Sequence, residues 1–267
     1  MKDYIKEIID PKLSRIENEN KLKEYLQTYI LYILYRKKFY LNLVFTGGTA
    51  LRLIYKIRRF SEDLDFSLSA KAKGHDFHSM LKNINNEFTA AGYQIEVKYN
   101  TERNVINAFF KFSGLLYETG LSPLKGEKTS IKIEIDTNPP HGGIEEITLF
   151  RSVYMFYLHH YGISSLFAGK IHALLCRKFT KGRDWYDLLW YLTTFKGLEP
   201  NFVFLNNAMK QTYSNAEEIT KDNWKDKLKD KIKLLDTNKV KNDVKNFMED
   251  AAELQLLSTE TFINLLK

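Results

Sequence analysis

The stretch Phe45-Thr46-Gly47-Gly48-Thr49-Ala50-Leu51, followed downstream by Ser61-Glu62-Asp63-Leu64-Asp65-Phe66, decides how this chain is read. Asn42 to Phe45 is a short apolar run that reads as a strand, and Gly47-Gly48 is a turn signal. Thr49 has the side chain of an N-cap, so a helix is expected over Ala50 to Ile57. The first N–H groups of such a helix point outward, where a phosphate can sit. In the second segment the period is two: Asp63 and Asp65 project from one face of a strand while Leu64 and Phe66 enter the core. Two carboxylates so placed repel and raise each other's pKa unless a cation lies between them. Mg²⁺ suits that position, because it takes one or two carboxylates and completes its shell with water and substrate phosphates. A glycine turn joined to such a pair is what a metal-dependent phosphoryl or nucleotidyl transferase needs.

Upstream, residues 12 to 38 read as a helix, with Ile16, Leu22, Tyr25, Leu26, Ile30, Ile33 and Leu34 roughly on one side. Downstream, Asp76 to Ala91 reads as a helix closed by Gly92, and Tyr93 to Lys98 and Val105 to Phe112 read as strands. Thr129 to Thr137 alternates cleanly: Ile131, Ile133 and Ile135 face one way, Lys132, Glu134 and Asp136 the other. This is a half-buried strand with acidic groups on its open face. Pro139-Pro140-His141-Gly142-Gly143 then turns the chain. From Ser164 the pattern is helical: Ser164-Ser165 caps a helix to about Lys178, and a second helix spans Arg183 to Phe195 with Asp184 and Asp187 on one face.

Taken in order, GGTALRLIYKIRRFSEDLDFSL, the Lys-Ile-Glu-Ile text at Glu134, Phe-Ala-Gly-Lys170 and Arg183-Asp184-Trp-Tyr-Asp187-Leu resemble the motifs of one family. It is the AbiEii/AbiGii toxin family of nucleotidyltransferases, with its MenT-type members, in the DNA polymerase β-like superfamily. Fourteen residues separate Gly48 from Asp63, and the resemblance runs over roughly residues 40 to 195. It implies an α/β (α+β) core with a mixed sheet over residues 1–160 and a helical C-terminal lobe over 161–267 that completes the site. It further implies Asp63, Asp65, Lys170, Asp184 and Asp187 as catalytic residues. Nucleotide would be held by Gly47, Gly48, Thr49, Arg59, Ser61 and Lys170, and metal by Asp63, Asp65 and either Glu134 or Asp136. Lys170 would act as a point charge on the triphosphate. Asp184 or Asp187 would orient Lys170, bind base or ribose, or take a proton.

The expected reaction moves an NMP from an NTP to an acceptor hydroxyl, for MenT-type members the 3′ end of tRNA, with Mg²⁺ in one or two sites and Mn²⁺ as a substitute. An AbiEi-type antitoxin is the expected partner. Alternative readings are a GTP-binding toxin without transfer and a transferase acting on a protein or small molecule.

Composition agrees with that class. The 267 residues carry a formal charge of +7, which favours a polyanionic partner such as RNA, and 44% are hydrophobic, enough for a sizeable core. Lys221 to Lys245 holds nine lysines against five aspartates, with Trp224, Leu228, Ile232 and Leu235 as a helical stripe. Its bland reading is a solvated amphipathic helix and its sharper one an RNA ledge. Arg52, Lys56, Arg58 and Arg59 form a second basic group, open to either phosphate contact or simple solvation. A single cysteine, Cys176, excludes an internal disulfide framework. The six histidines (His75, His78, His141, His159, His160, His172) lack zinc-ligand spacing with thiols. The N-terminus lacks the basic-then-apolar pattern of a secretory signal, and the apolar run Tyr29 to Tyr35 is too short to span a bilayer, so a cytoplasmic protein with no membrane contact is expected.

Overall fold

The computed structural model describes residues 2–72 and 76–267, so His75 lies outside the described residues. The chain divides into two compact units. The first comprises Met1–Lys56, Phe60–Asn138 and Glu146–His160, the second Ile57–Arg59, Pro139–Glu145 and Tyr161–Lys267. Two short segments that the sequence reading places in the core, 57–59 and 139–145, therefore belong to the second unit.

The first unit is built on a mixed sheet. In chain order its elements are α1 (Lys2–Ile8), α2 (Arg15–Arg36), β1 (Leu43–Thr46), α3 (Gly47–Tyr55), β2 (Asp63–Leu68), α4 (Phe77–Ala90), β3 (Gln94–Asn100), β4 (Val105–Ser113), α5 (Leu115–Glu118), β5 (Lys128–Asp136), β6 (Glu145–Arg151) and β7 (Met155–Tyr161). Among the described residues the sheet has seven strands in the order β3-β4-β5-β2-β1-β7-β6. β2 runs antiparallel to β1 and parallel to β5, which puts it at the centre. The alternation read in β5 is present: Thr129, Ile131, Ile133 and Ile135 are buried, and the charged positions between them are half-exposed. Ile106, Ala108, Phe110 and Phe112 of β4 repeat the pattern. Helix α2 starts at a capping box, with the Ser14 hydroxyl accepting from the Glu17 N–H and the Glu17 carboxylate accepting from the Ser14 N–H. Such a cap is worth about 1 kcal/mol. Leu22, Leu26, Ile30, Ile33 and Leu34 then form its buried stripe, which packs on α4 and β5.

Strands β6 and β7 are absent from the sequence reading. Most of β6 is exposed, and β7 is Met-Phe-Tyr-Leu-His-His-Tyr, whose nearly continuous large side chains hide the alternation that buries Phe156 and Leu158.

The second unit is helical: α6 (Ile163–Cys176), α7 (Gly182–Thr194), α8 (Phe202–Thr212), α9 (Trp224–Lys233), α10 (Thr237–Val244) and α11 (Thr259–Leu265). Helix α6 begins after Gly162, and Ser165 is buried with its hydroxyl accepting from the Ile144 N–H, so Ser164-Ser165 is inside the helix rather than its cap. The Lys221 to Lys245 run is two helices, broken because the Asp236 side chain caps α10. Trp224, Leu228 and Ile232 are buried. Several lysines of α9 pair locally, Lys227 with Glu217, Lys229 with Asp226 and Lys233 with Asp230. Its outer face is thus a laced, solvated one.

Candidate active site

Strand β1 leads straight into α3. Thr46, not Thr49, holds the N-cap position, and the helix starts at Gly47. Gly47 has φ +73°, and a Cβ there would lie 2.1 Å from Asp65 Oδ2 and 2.8 Å from Asp65 Cγ. Glycine is needed twice over at this point, for the left-handed backbone and for the room. The register explains the contact: Thr46 is paired with Asp65 across β1 and β2. Thr49 is fully buried one turn into α3, and its hydroxyl donates to the Asp63 carbonyl. The expectation that Thr49 caps the helix is corrected accordingly; its hydroxyl ties α3 to β2. The Ser61 carbonyl, just before β2, accepts from the Gln27 amide at 3.0 Å.

Across the parallel β2–β5 pairing Asp63 faces Lys132, Asp65 faces Glu134 and Ser67 faces Asp136. Glu134 is therefore the acid beside Asp65. Asp136 lies one strand step further on, where its carboxylate accepts from the Asn138 N–H and burial raises its pKa. Lys132 shares the acidic face and donates to Glu134 at 2.6 Å. Burial disfavours its ammonium, but Glu134, Asp63 and Asp65 outweigh that and raise its pKa. Among the described residues no three or more His, Cys, Asp or Glu side chains are gathered into a metal-holding group. The physical reason is that Glu134 is turned onto Lys132, whose ammonium stands in for a cation among the carboxylates. The donor set nonetheless suits a hard divalent ion, being three carboxylates on one face with two in register.

The second unit holds a buried ionic cluster. Asp187 of α7 is fully buried; its Oδ1 accepts from Arg59 Nε at 2.6 Å and its Oδ2 from Arg59 Nη2 at 2.6 Å. Oδ2 also takes Lys170 Nζ of α6 at 2.7 Å. Asp184 Oδ1 accepts from Lys170 at 3.0 Å, and Oδ2 from Arg177 at 2.5 Å. Burial alone would raise both carboxylates, but Arg59 and Lys170 hold Asp187 below its ordinary value, and Lys170 and Arg177 do the same for Asp184. Burial likewise disfavours the Lys170 ammonium, and Asp187 and Asp184 override it and raise its pKa. Lys170, Asp184 and Asp187 are thereby brought together as the order of motifs implies. Arg59, expected at the nucleotide, is 1% exposed with its guanidinium on Asp187. Two more of its basic group are also engaged: Arg52 with Glu24 at 2.6 Å, and Arg58 with Glu253 at 2.9 Å.

Comparison with known proteins follows the same lines. A family model described as the nucleotidyl transferase AbiEii toxin of type IV toxin–antitoxin systems matches residues 29–264. This chain belongs to the AbiEii nucleotidyltransferase toxin family. Two solved structures from Helicobacter pylori are similar to it: a protein provisionally described as a nucleotidyltransferase, at 21% identity, and JHP933, at 20%. Each comparison covers 93% of this chain and 91% of the other, with a TM-score of 0.54, and at these identities shows the fold. No curated protein matches the chain. The AbiEii family is one of toxins that transfer nucleotidyl groups, and a type IV system implies an antitoxin as partner. Among the described residues of this AbiEii chain no helix is long and apolar enough to cross a membrane.

Two ion pairs of this AbiEii chain escape a sequence reading, Lys132 with Glu134 and Arg59 with Asp187. Lys132 has a signal, since it alternates onto the acidic face with Glu134. Arg59 has none, because its partner lies 128 residues away.

Proposed function

We propose that this toxin moves a nucleoside monophosphate from an NTP to an acceptor hydroxyl, that of a tRNA 3′ end, and so arrests translation and growth. The observation that supports it most is the seating of Asp65 against Gly47, with Asp63 on the same face and Glu134 beside it in register. Asp63, Asp65 and Glu134 would hold Mg²⁺, in one or two sites, and Mn²⁺ would be accepted by the same oxygens. Once bound, the ion supplies positive charge to the attacking hydroxyl and the departing pyrophosphate. Glu134 would hold that cation in place of Lys132, and Lys132 keeps the acids from repelling one another.

Gly47 and Gly48 keep side chains away from the start of α3, so that its first N–H groups are available to phosphate oxygens. Ser61 and the buried Thr49 fix the run between α3 and β2. Within the second unit Asp184 and Asp187 hold the Lys170 ammonium in place, a point charge suited to a phosphate group. Little covalent chemistry is asked of the chain; its work is placement of charge.

The test is incubation with α-labelled and γ-labelled NTP and total RNA. A transferase of this kind places only the α-label on RNA. Labelling of neither would leave a nucleotide-binding toxin, and α-label on protein or on a small hydroxyl compound would change the acceptor. Asp63→Ala is expected to lose at least ~10³-fold in transfer, the scale of removing a charge-stabilising group from a site of this type.

A further inference from the structure

Among the described residues the seven-stranded sheet ends on β3 at one side and on β6 at the other. An edge strand offers N–H and C=O groups to any strand that arrives, and charged side chains are a common guard against it. Strand β3 has that guard: Glu96 accepts from Lys98 at 3.2 Å and from Lys128 at 2.9 Å, and all three side chains are exposed. Strand β6 has no lysine, and Ile147-Thr148-Leu149-Phe150 fills its middle. Its even positions turn inward: Phe150 is buried with its ring 5.2 Å from that of Phe156, and the Thr148 hydroxyl meets His160 Nε2 at 2.9 Å. Ile147, Leu149 and Arg151 therefore share the outer face. On neighbouring β7, Phe156 and Leu158 are buried, so Met155 and Tyr157 lie on that outer face too. Ile147 is 61% exposed, Met155 65% and Tyr157 45%, which makes an apolar patch along the edge.

The ends of β6 carry opposite charge, Glu145 and Glu146 at the start and Arg151 at the finish. Two copies laid antiparallel about a two-fold axis through Thr148 bring Glu145 of one opposite Arg151 of the other and Ile147 opposite Leu149, each pair occurring twice. These four are alternate residues, so both kinds of pair fall on the outer face. Parallel pairing would instead set like charges together. We propose that β6 is an association edge at which a second copy of this chain adds antiparallel, joining two sheets into one across a two-fold axis. The apolar patch supplies the drive, and the charged ends set direction and register.

Sedimentation equilibrium of the full chain over about 1–100 µM tests this, with thermal melts on every variant. The wild type is expected to approach twice the 31.4 kDa of one chain. Ile147→Lys changes an exposed site and is expected to fold, yet to raise the dissociation constant at least ~10-fold, because symmetry counts it twice. Glu145→Arg and Arg151→Glu each set like charges opposite one another, so each alone is expected to be largely monomeric. An equimolar mixture of the two restores both charge pairs and is expected to return to the dimer mass. Lys98→Glu, on β3, is expected to leave the mass unchanged. Should Glu145→Arg melt early, Ile147→Lys and Lys98→Glu carry the test.

A wild type that stays monomeric throughout, a dimer that Ile147→Lys leaves intact, or a mixture of the two folded charge variants that stays monomeric would each overturn the proposal. Loss of the dimer in Lys98→Glu would overturn it in favour of the opposite edge.

Discussion

Gly47 has no room for a side chain, and that single position links the backbone turn to the acid most central in the sheet. An alanine there would have to adopt φ +73° and push Asp65 aside, since the added carbon would fall 2.1 Å from Oδ2. Gly47→Ala is therefore expected to cost about 1–3 kcal/mol in stability and to lower transfer at least ~100-fold through displacement of Asp65. Gly92 provides the control. It too has positive φ, +83°, but a Cβ there meets nothing, so Gly92→Ala is expected to cost about 1 kcal/mol with unchanged transfer. Denaturant melts and labelled-nucleotide assays on the two variants separate strain from displacement. At this scale much was legible in advance: the diglycine and the Asp-x-Asp pair announce themselves by spacing and period. What sequence cannot convey is which atom a glycine makes room for, because Gly47 and Asp65 meet only once the strands have paired. The choice between Glu134 and Asp136 was open for the same reason, and the register of β2 on β5 favours Glu134.

At the scale of elements, α7 is held by charge as well as by packing. Its Asp187 is buried and meets two cations, so Asp187→Leu, which leaves Arg59 and Lys170 without their shared acceptor, is expected to destabilise the chain by about 3–5 kcal/mol in urea titration. The pH dependence follows in sign. Asp184 and Asp187 have folded pKa values below the ordinary 3.8, so the unfolded chain binds more protons in that range. The stability they confer is full above the ordinary value and is lost as pH falls through the depressed one. Unfolding midpoints are expected to drop steeply below about pH 4 for wild type and more gently for Asp187→Asn, as urea melts at several pH values would record.

Helices α2, α3, α4, α6, α7 and α9 were readable in the sequence, and strand β5 from its alternation, whereas α1, α5, α8, α10 and α11 were not read. Helix starts were less so: Thr49 and Ser164-Ser165 have the side chains of caps, yet Thr46 and Gly162 occupy those places. A hydroxyl buried inside a helix and one capping it look alike until its partner is known, and here Thr49 found the Asp63 carbonyl and Ser165 the Ile144 N–H.

For the whole molecule, a formal charge of +7 argues for a polyanion as substrate or acceptor, but much of the charge is spent internally. Arg52, Arg58, Arg59, Lys170 and several lysines of α9 all have acidic partners. Each such pair uses one acid with one base, so the net +7 stands while fewer cations are left to meet RNA phosphates, and binding is expected to weaken with salt less steeply than a count of lysines suggests. Family membership supplies the biological frame of a nucleotidyltransferase toxin with an antitoxin partner. The proposed chemistry within that frame would depend on Asp63 and Asp65 serving a divalent ion at the start of α3. The most direct measurement is incubation with each of the four α-labelled nucleoside triphosphates and purified tRNA, with Mg²⁺ or with a chelator, for wild type and Asp65→Asn. The account predicts label on tRNA with wild type and Mg²⁺ alone, and none with chelator or Asp65→Asn. Undiminished labelling by Asp65→Asn, or no labelled RNA under any condition, would contradict it.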